Sequence, residues 1–121
     1  MKKILIAEDD QFLASAYRVK LTKEGFDVKI AGDGEEAIEM LKTFTPDLIV
    51  LDIVMPKKDG FTTLQEIRSN PMWKNLPILI ASSLGQQEDV KKGLSLGATD
   101  YIIKSDVALG DIVKKINELT P

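Results

Sequence analysis

The chain has no cysteine and no histidine among its 121 residues. The first absence excludes disulfides and thiol chemistry. The second excludes histidine triads, histidine metal ligands and a phosphohistidine carried on this chain. Long apolar runs are missing too: none approaches the roughly 18 residues that a membrane span needs. The opening "MKKILIAEDD" turns acidic too soon for a secretory leader. A cytoplasmic protein with no membrane association is expected. Neither sign of charge dominates, since 16 basic and 19 acidic residues leave a formal charge of -3. The basic residues are scattered rather than gathered in a stripe, so nucleic acid is not expected as a direct partner. Any chemistry must run on carboxylates, hydroxyls and lysines.

What is present is a core and a rhythm. With 44% apolar residues in 121, the chain can bury one core, and a single domain over residues 1–121 is expected. Short apolar runs alternate with segments of helical period. "KILIA" at 3–7 precedes "FLASAYRVKLTKEG" at 12–25, and "DVKIA" at 27–31 precedes "GEEAIEMLKTF". "DLIVL" at 47–51 precedes "GFTTLQEIRS", "PILIA" at 77–81 precedes "EDVKKGLSLG", and "DYIIK" at 100–104 precedes "DIVKKINEL". Five strand–helix units predict an α/β domain, and the unbroken apolar runs at 48–51 and 78–81 predict parallel strands covered on both faces. In the first helix Phe12, Ala16 and Val19, with Leu13 and Tyr17 beside them, are expected on one face.

Ligands of open parallel sheets bind beyond the carboxyl ends of the strands. At those ends stand Glu8, Asp9 and Asp10, then Asp33, Asp52, Ser82 and Lys104. Asp10 and Asp33 are expected as helix caps. If the first and third strands are neighbours, roughly 5 Å apart, Glu8, Asp9 and Asp52 converge. Two like charges about 4 Å apart cost about 4 kcal/mol at an effective dielectric near 20, so the cluster needs protonation or a cation. Oxygen-only ligands favour Mg2+, with Mn2+ as the alternative ion. A phosphoryl group on Asp52 would then meet Lys104, Ser82 and the cation, one for each of its oxygens.

These residues, in this order, resemble the receiver domain of bacterial two-component response regulators, and single-domain chemotaxis-type regulators in particular. The features are the acidic pair after the first strand, "LDIVMPKKDG" around Asp52, the hydroxyl of Ser82 and the ammonium of Lys104. The resemblance implies a doubly wound, flavodoxin-like sheet with strand order 2-1-3-4-5. It implies that Asp52 is the phosphoacceptor in a phosphorelay, that Glu8, Asp9, Asp52 and the backbone carbonyl of Val54 bind magnesium, and that Ser82 and Lys104 contact the phosphoryl group. It also implies a switch in which Ser82 moves toward the phosphate as Tyr101 turns inward. Tyr101 serves equally well as plain edge packing. Val54 and Leu84 stand two positions past Asp52 and Ser82, where family side chains flank the attacking water. Both are apolar, which predicts slow self-dephosphorylation, an expectation that loss of phosphate within seconds would contradict. The implied partners are a histidine kinase or phosphotransfer protein and a downstream protein target. A covalently linked effector domain, and a homodimer through the fourth helix, fifth strand and fifth helix, stay open.

The departures are local. Ser105 follows Lys104 where the family usually has proline after a cis peptide, so the bond is either a costly cis form or trans. "SDVALGD" runs about one residue longer than usual, with Gly110 and Asp111 expected to start the last helix. Gly60 is expected to use positive φ at the entry to the third helix, Lys57 and Lys58 to face solvent, and Gly93, Gly97 and Gly110 to loosen the last third of the chain. The chain is expected to act on itself only, not as an enzyme toward others. Two other functions compete: a phosphorylation-independent pseudo-receiver, and a magnesium-dependent phosphatase. The phosphatases in view carry Asp-x-Asp after the first strand, whereas here the nucleophile follows the third and Ile53 and Val54 succeed it. A flavin carrier is disfavoured by the acidic loop "AEDDQF", which offers no phosphate cradle.

Overall fold

Each apolar run and the helical segment after it become one strand–helix unit in the computed structural model, which describes residues 1–121. In chain order these are β1 (Lys3–Ala7), α1 (Gln11–Lys23), β2 (Asp27–Ala31), α2 (Gly34–Leu41), β3 (Leu48–Leu51), α3 (Gly60–Ser69), β4 (Ile78–Ser82), α4 (Gln87–Ser95), β5 (Asp100–Ile103) and α5 (Leu109–Leu119). All five strands are parallel, in the order β2-β1-β3-β4-β5. β1 therefore lies between β2 and β3, and the chain leaves it toward one side and returns on the other. That reversal opens a crevice at the carboxyl edge between β1 and β3.

Side-chain alternation along the strands feeds two cores. Ile4, Ile6, Val50, Leu79 and Ala81 pack under Tyr17 and Leu21 of α1 and Ile112, Val113 and Ile116 of α5. Leu5, Ala7, Ile49, Leu51, Ile78 and Ile80 face Ala37 and Leu41 of α2 and Leu64 and Ile67 of α3. Each fully buried Leu or Ile side chain contributes about 1.5–3 kcal/mol, and β3 is buried from end to end. The ladder runs on past the strand ends: the Asp52 amide donates to the Ala7 carbonyl (3.0 Å) and the Glu8 amide to Ala31 (2.9 Å). The site residues thus inherit the rigidity of the sheet. Three of the following helices start on an aspartate: Asp10 accepts from the Phe12 and Leu13 amides, Asp33 from Glu36 and Asp59 from Thr62. These caps satisfy amides that the first helical turn leaves without partners.

Several expectations are corrected. The buried stripe of α1 is Ala14, Tyr17 and Leu21, while Phe12 is 92% and Val19 59% exposed. Tyr17 is buried as expected, with Leu13 packed against the same core, but the stripe runs on through Leu21 rather than through Phe12 and Val19. Gly60 does not use positive φ; Lys57 does, at 65°. Gly60 is needed because a Cβ there would lie 2.1 Å from the Asp52 carbonyl oxygen and 2.6 Å from the Ile53 Cα. Gly93 likewise tightens rather than loosens, since a Cβ there would meet Ile80 Cδ1 at 2.7 Å and Tyr101 Cδ2 at 3.0 Å. α5 begins at Leu109, before Gly110, and the Ala108 amide donates to Asp111 Oδ2 (3.0 Å). Lys58 is not a plain solvent lysine, because its ammonium donates to Glu66.

Candidate functional site

Glu8 and Asp9 follow β1 and Asp52 follows β3, and the pairing of Ala7 with Leu51 sets these ends side by side. Oxygens from all three carboxylates lie within 4.8 Å of one another. Two are deeply placed, Glu8 at 4% and Asp52 at 6% exposure, while Asp9 stands in solvent. Lys104 closes the cluster from β5. Its Nζ donates to Glu8 Oε1 at 2.8 Å and to Asp52 Oδ2 at 3.1 Å. The remaining oxygens take backbone donors: the Ile53 amide reaches Asp52 Oδ1 at 2.7 Å and the Asp10 amide Glu8 Oε2 at 3.2 Å.

Electrostatics follows from that geometry. Burial raises the Glu8 carboxyl to about 7, and the charge of Asp52 adds to the rise, against the bonds from Lys104 and the Asp10 amide. Burial alone would lower the Lys104 ammonium, but its bonds to Glu8 and the charges of Asp52 and Glu8 outweigh that and hold it above its ordinary value. One ammonium between two buried carboxylates, with Asp9 at the rim, leaves net negative charge open to a cation. The donors fit a hard divalent ion, being carboxylate oxygens with no nitrogen or sulfur among them. No backbone amide bonds to the Val54 carbonyl, which remains available as a further oxygen.

The other sequence-derived positions divide. The Lys104–Ser105 bond is trans, and Lys104–Asp106 form a 3-10 turn that still aims Lys104 at the acids. Ser82 closes β4, fully buried, and its Oγ accepts the Leu84 amide at 3.2 Å. Tyr101 donates its hydroxyl to the Leu84 carbonyl at 2.6 Å, joining β5 to the loop after β4. Burial, with Asp89 nearby, raises this phenol above its usual value, and the neighbouring Ser82 hydroxyl acts in the opposite sense. Val54 is 56% exposed beside Asp52, whereas Leu84 is half-buried against the core. A cleft of about 460 Å³ opens next to Lys104, walled by Leu13, Ser83, Ser105, Val107 and Leu109.

Sequence reasoning missed two features. The Ile53 amide is invisible in a sequence because every residue but proline has one. Tyr17 reads as a core aromatic, yet it carries the one buried side-chain oxygen in the chain with no hydrogen-bond partner.

A family model described as the response regulator receiver domain matches residues 4–117. The alkaline phosphatase synthesis transcriptional regulatory protein PhoP of Bacillus subtilis is 39% identical over 103 residues, covering 85% of this chain and 42% of that protein. The transcriptional regulatory protein CpxR of Escherichia coli is 40% identical over 104 residues, covering 86% of this chain and 43% of its own length. The chain thus spans about two fifths of these regulators. Among solved structures, the receiver domain of the Francisella response regulator 1452 superposes with a TM-score of 0.90 at 32% identity, over 99% of this chain and 97% of that one. The BeF3-activated N-terminal receiver domain of Klebsiella pneumoniae RstA gives 0.90 at 30% identity, over 98% of each.

Proposed function

Because the chain belongs to the response regulator receiver family, we propose that residues 1–121 form one receiver domain working as a phosphorelay switch with Asp52 as its phosphoacceptor. The observation that carries this reading is Lys104 bridging Glu8 and Asp52, with Asp9 alongside, at the carboxyl edge of the sheet. An Asp52 oxygen attacks the donor phosphorus. The new O–P bond forms as the bond to the donor's imidazole nitrogen or acyl oxygen breaks, and the electron pair leaves with that group. Glu8, Asp9, Asp52 and the Val54 carbonyl would hold magnesium, which when bound neutralises phosphoryl charge. Lys104 turns from Glu8 to a phosphoryl oxygen while staying beside Asp52. Ser82 donates its hydroxyl hydrogen to a second oxygen, and because its Oγ accepts the Leu84 amide and Tyr101 grips the Leu84 carbonyl, a shift of Ser82 is felt in β5. Val54, apolar and exposed, offers no group to orient an attacking water, so the acyl phosphate lasts.

The donor is a histidine kinase or phosphotransfer protein, and its imidazole reaches Asp52 past the cleft beside Lys104. The output is a changed protein-binding surface, read by a separate target or by an effector region of the same polypeptide, such as lies outside the matched segment in the relatives. The test is mass spectrometry after exposure to acetyl phosphate and magnesium chloride. A gain of one phosphoryl group, absent from Asp52→Ala, is expected. No gain in the unaltered chain would favour a phosphorylation-independent module.

A further inference from the structure

Tyr17 is 1% exposed, and no protein atom accepts from or donates to its hydroxyl. A buried hydroxyl without a partner is destabilising, and phenylalanine would fill the same space without that cost. Its position shows where a partner lies. Strand side chains alternate, so Glu8 and Asp52 point to the same face of the sheet as Ile6 and Val50, two residues before them. That is the face on which Tyr17 packs. α1 starts at the carboxyl edge of the sheet, immediately after its Asp10 cap, and long helical side chains lean back toward the helix N-terminus. The phenol therefore rises from within the core toward the underside of the acid cluster. The electrostatics agrees: burial raises the phenol well above its ordinary value, and the charges of Glu8 and Asp52 raise it further.

We propose that Tyr17 is a positioning residue of the cation site, its hydroxyl donating through one enclosed water to the Glu8 carboxylate from below. An enclosed water requires at least two polar partners, and the two assigned to it are the phenol and the Glu8 carboxylate, whose charge acts on that phenol. The consequence concerns Lys104. While the ammonium bonds Glu8, that carboxylate is held from the β5 side. When Lys104 turns to a phosphoryl group, Glu8 keeps only the Asp10 amide at 3.2 Å, and the donor beneath it helps to hold its oxygens toward Asp9 and Asp52. This assignment rests on the magnesium reading above, and it adds a group that contacts neither the cation nor the phosphoryl group.

The test is titration of the intact chain with magnesium chloride. Calorimetry should show Tyr17→Phe binding about tenfold more weakly than the unaltered chain, the scale on which outer hydrogen-bond partners of metal ligands act. In Tyr101→Phe, where Tyr17 is the only tyrosine left of two, magnesium should produce a near-ultraviolet tyrosine difference signal. A structural role in the core would produce neither effect. Unchanged affinity in Tyr17→Phe, or a silent tyrosine in Tyr101→Phe, would overturn the proposal. Absence of binding heat in the unaltered chain would overturn the magnesium reading and this one with it.

Discussion

Lys104 is where one side chain decides the balance of the site. Glu8 and Asp52 are nearly inaccessible to solvent, and the ammonium is their only charged partner within the chain. Removing one partner of a buried ion pair typically costs about 3–5 kcal/mol, because the remaining charge stays desolvated. Here Glu8 has an escape, since its carboxyl already sits near 7 and can take up a proton. Lys104→Met, which keeps the stem, should therefore lower stability at neutral pH by about 2–3 kcal/mol, just under that range. Magnesium chloride should restore much of the loss by replacing the lost positive charge, and urea unfolding with and without the salt checks both. The participants in this balance were largely legible in the sequence. The acids meet because β1 and β3 are parallel neighbours, and Lys104, whose strand β5 lies beyond β4, reaches them from the same carboxyl edge because its side chain is long. What was not legible was which acid the lysine would grip most closely, because that depends on side-chain rotamers. Nor was the hydroxyl of Tyr17, whose spacing marks it only as core.

At the level of elements, the turn from β3 into α3 shows how backbone packing controls a side chain. The Gly60 amide donates to the Ile53 carbonyl at 2.8 Å, which draws the first turn of α3 against Asp52 and Ile53. No Cβ fits there. Gly60→Ala should push α3 outward and disturb the Ile53 amide that holds Asp52 Oδ1. A loss of about 1–3 kcal/mol is expected, the usual cost of overpacking, with slower labelling by acetyl phosphate. Urea unfolding and the mass assay check the two effects separately. The sequence marked this glycine as special for the wrong reason. Glycine serves positive φ and close approach equally, and only the position of the neighbouring backbone separates them. A similar ambiguity affected the first helix, where Tyr17 was placed on the buried face correctly but Phe12 and Val19 were grouped with it in place of Leu21. Strand positions, by contrast, were legible within a residue or so, because a run such as Leu48–Leu51 has no outlet but a covered parallel sheet.

Across the whole molecule the helices are anchored unequally. α1, α2 and α5 each bury three residues and α3 four, whereas α4 buries only Gly93. That glycine approaches Ile80 and Tyr101 of the sheet closely, and on the side of α3 the Lys92 ammonium lies over the Phe61 ring at 4.5 Å. Elements with few buried apolar contacts open at lower free energy than the rest of a fold. α4 is therefore the part of the scaffold that a small event at the site can move at least cost. Tyr101 links the two, touching Gly93 through its ring and Leu84 through its hydroxyl. Hydrogen exchange should find the amides of Gln87–Ser95 the least protected among the five long helices of the unphosphorylated chain. Treatment with beryllofluoride and magnesium should slow exchange in this segment and leave α1 and α5 nearly unchanged. Tyr101→Phe, lacking the bond to Leu84, should lose most of that protection while still binding beryllofluoride. Equal protection of α4 and α5 before treatment would mean that the difference in burial does not set which helix moves.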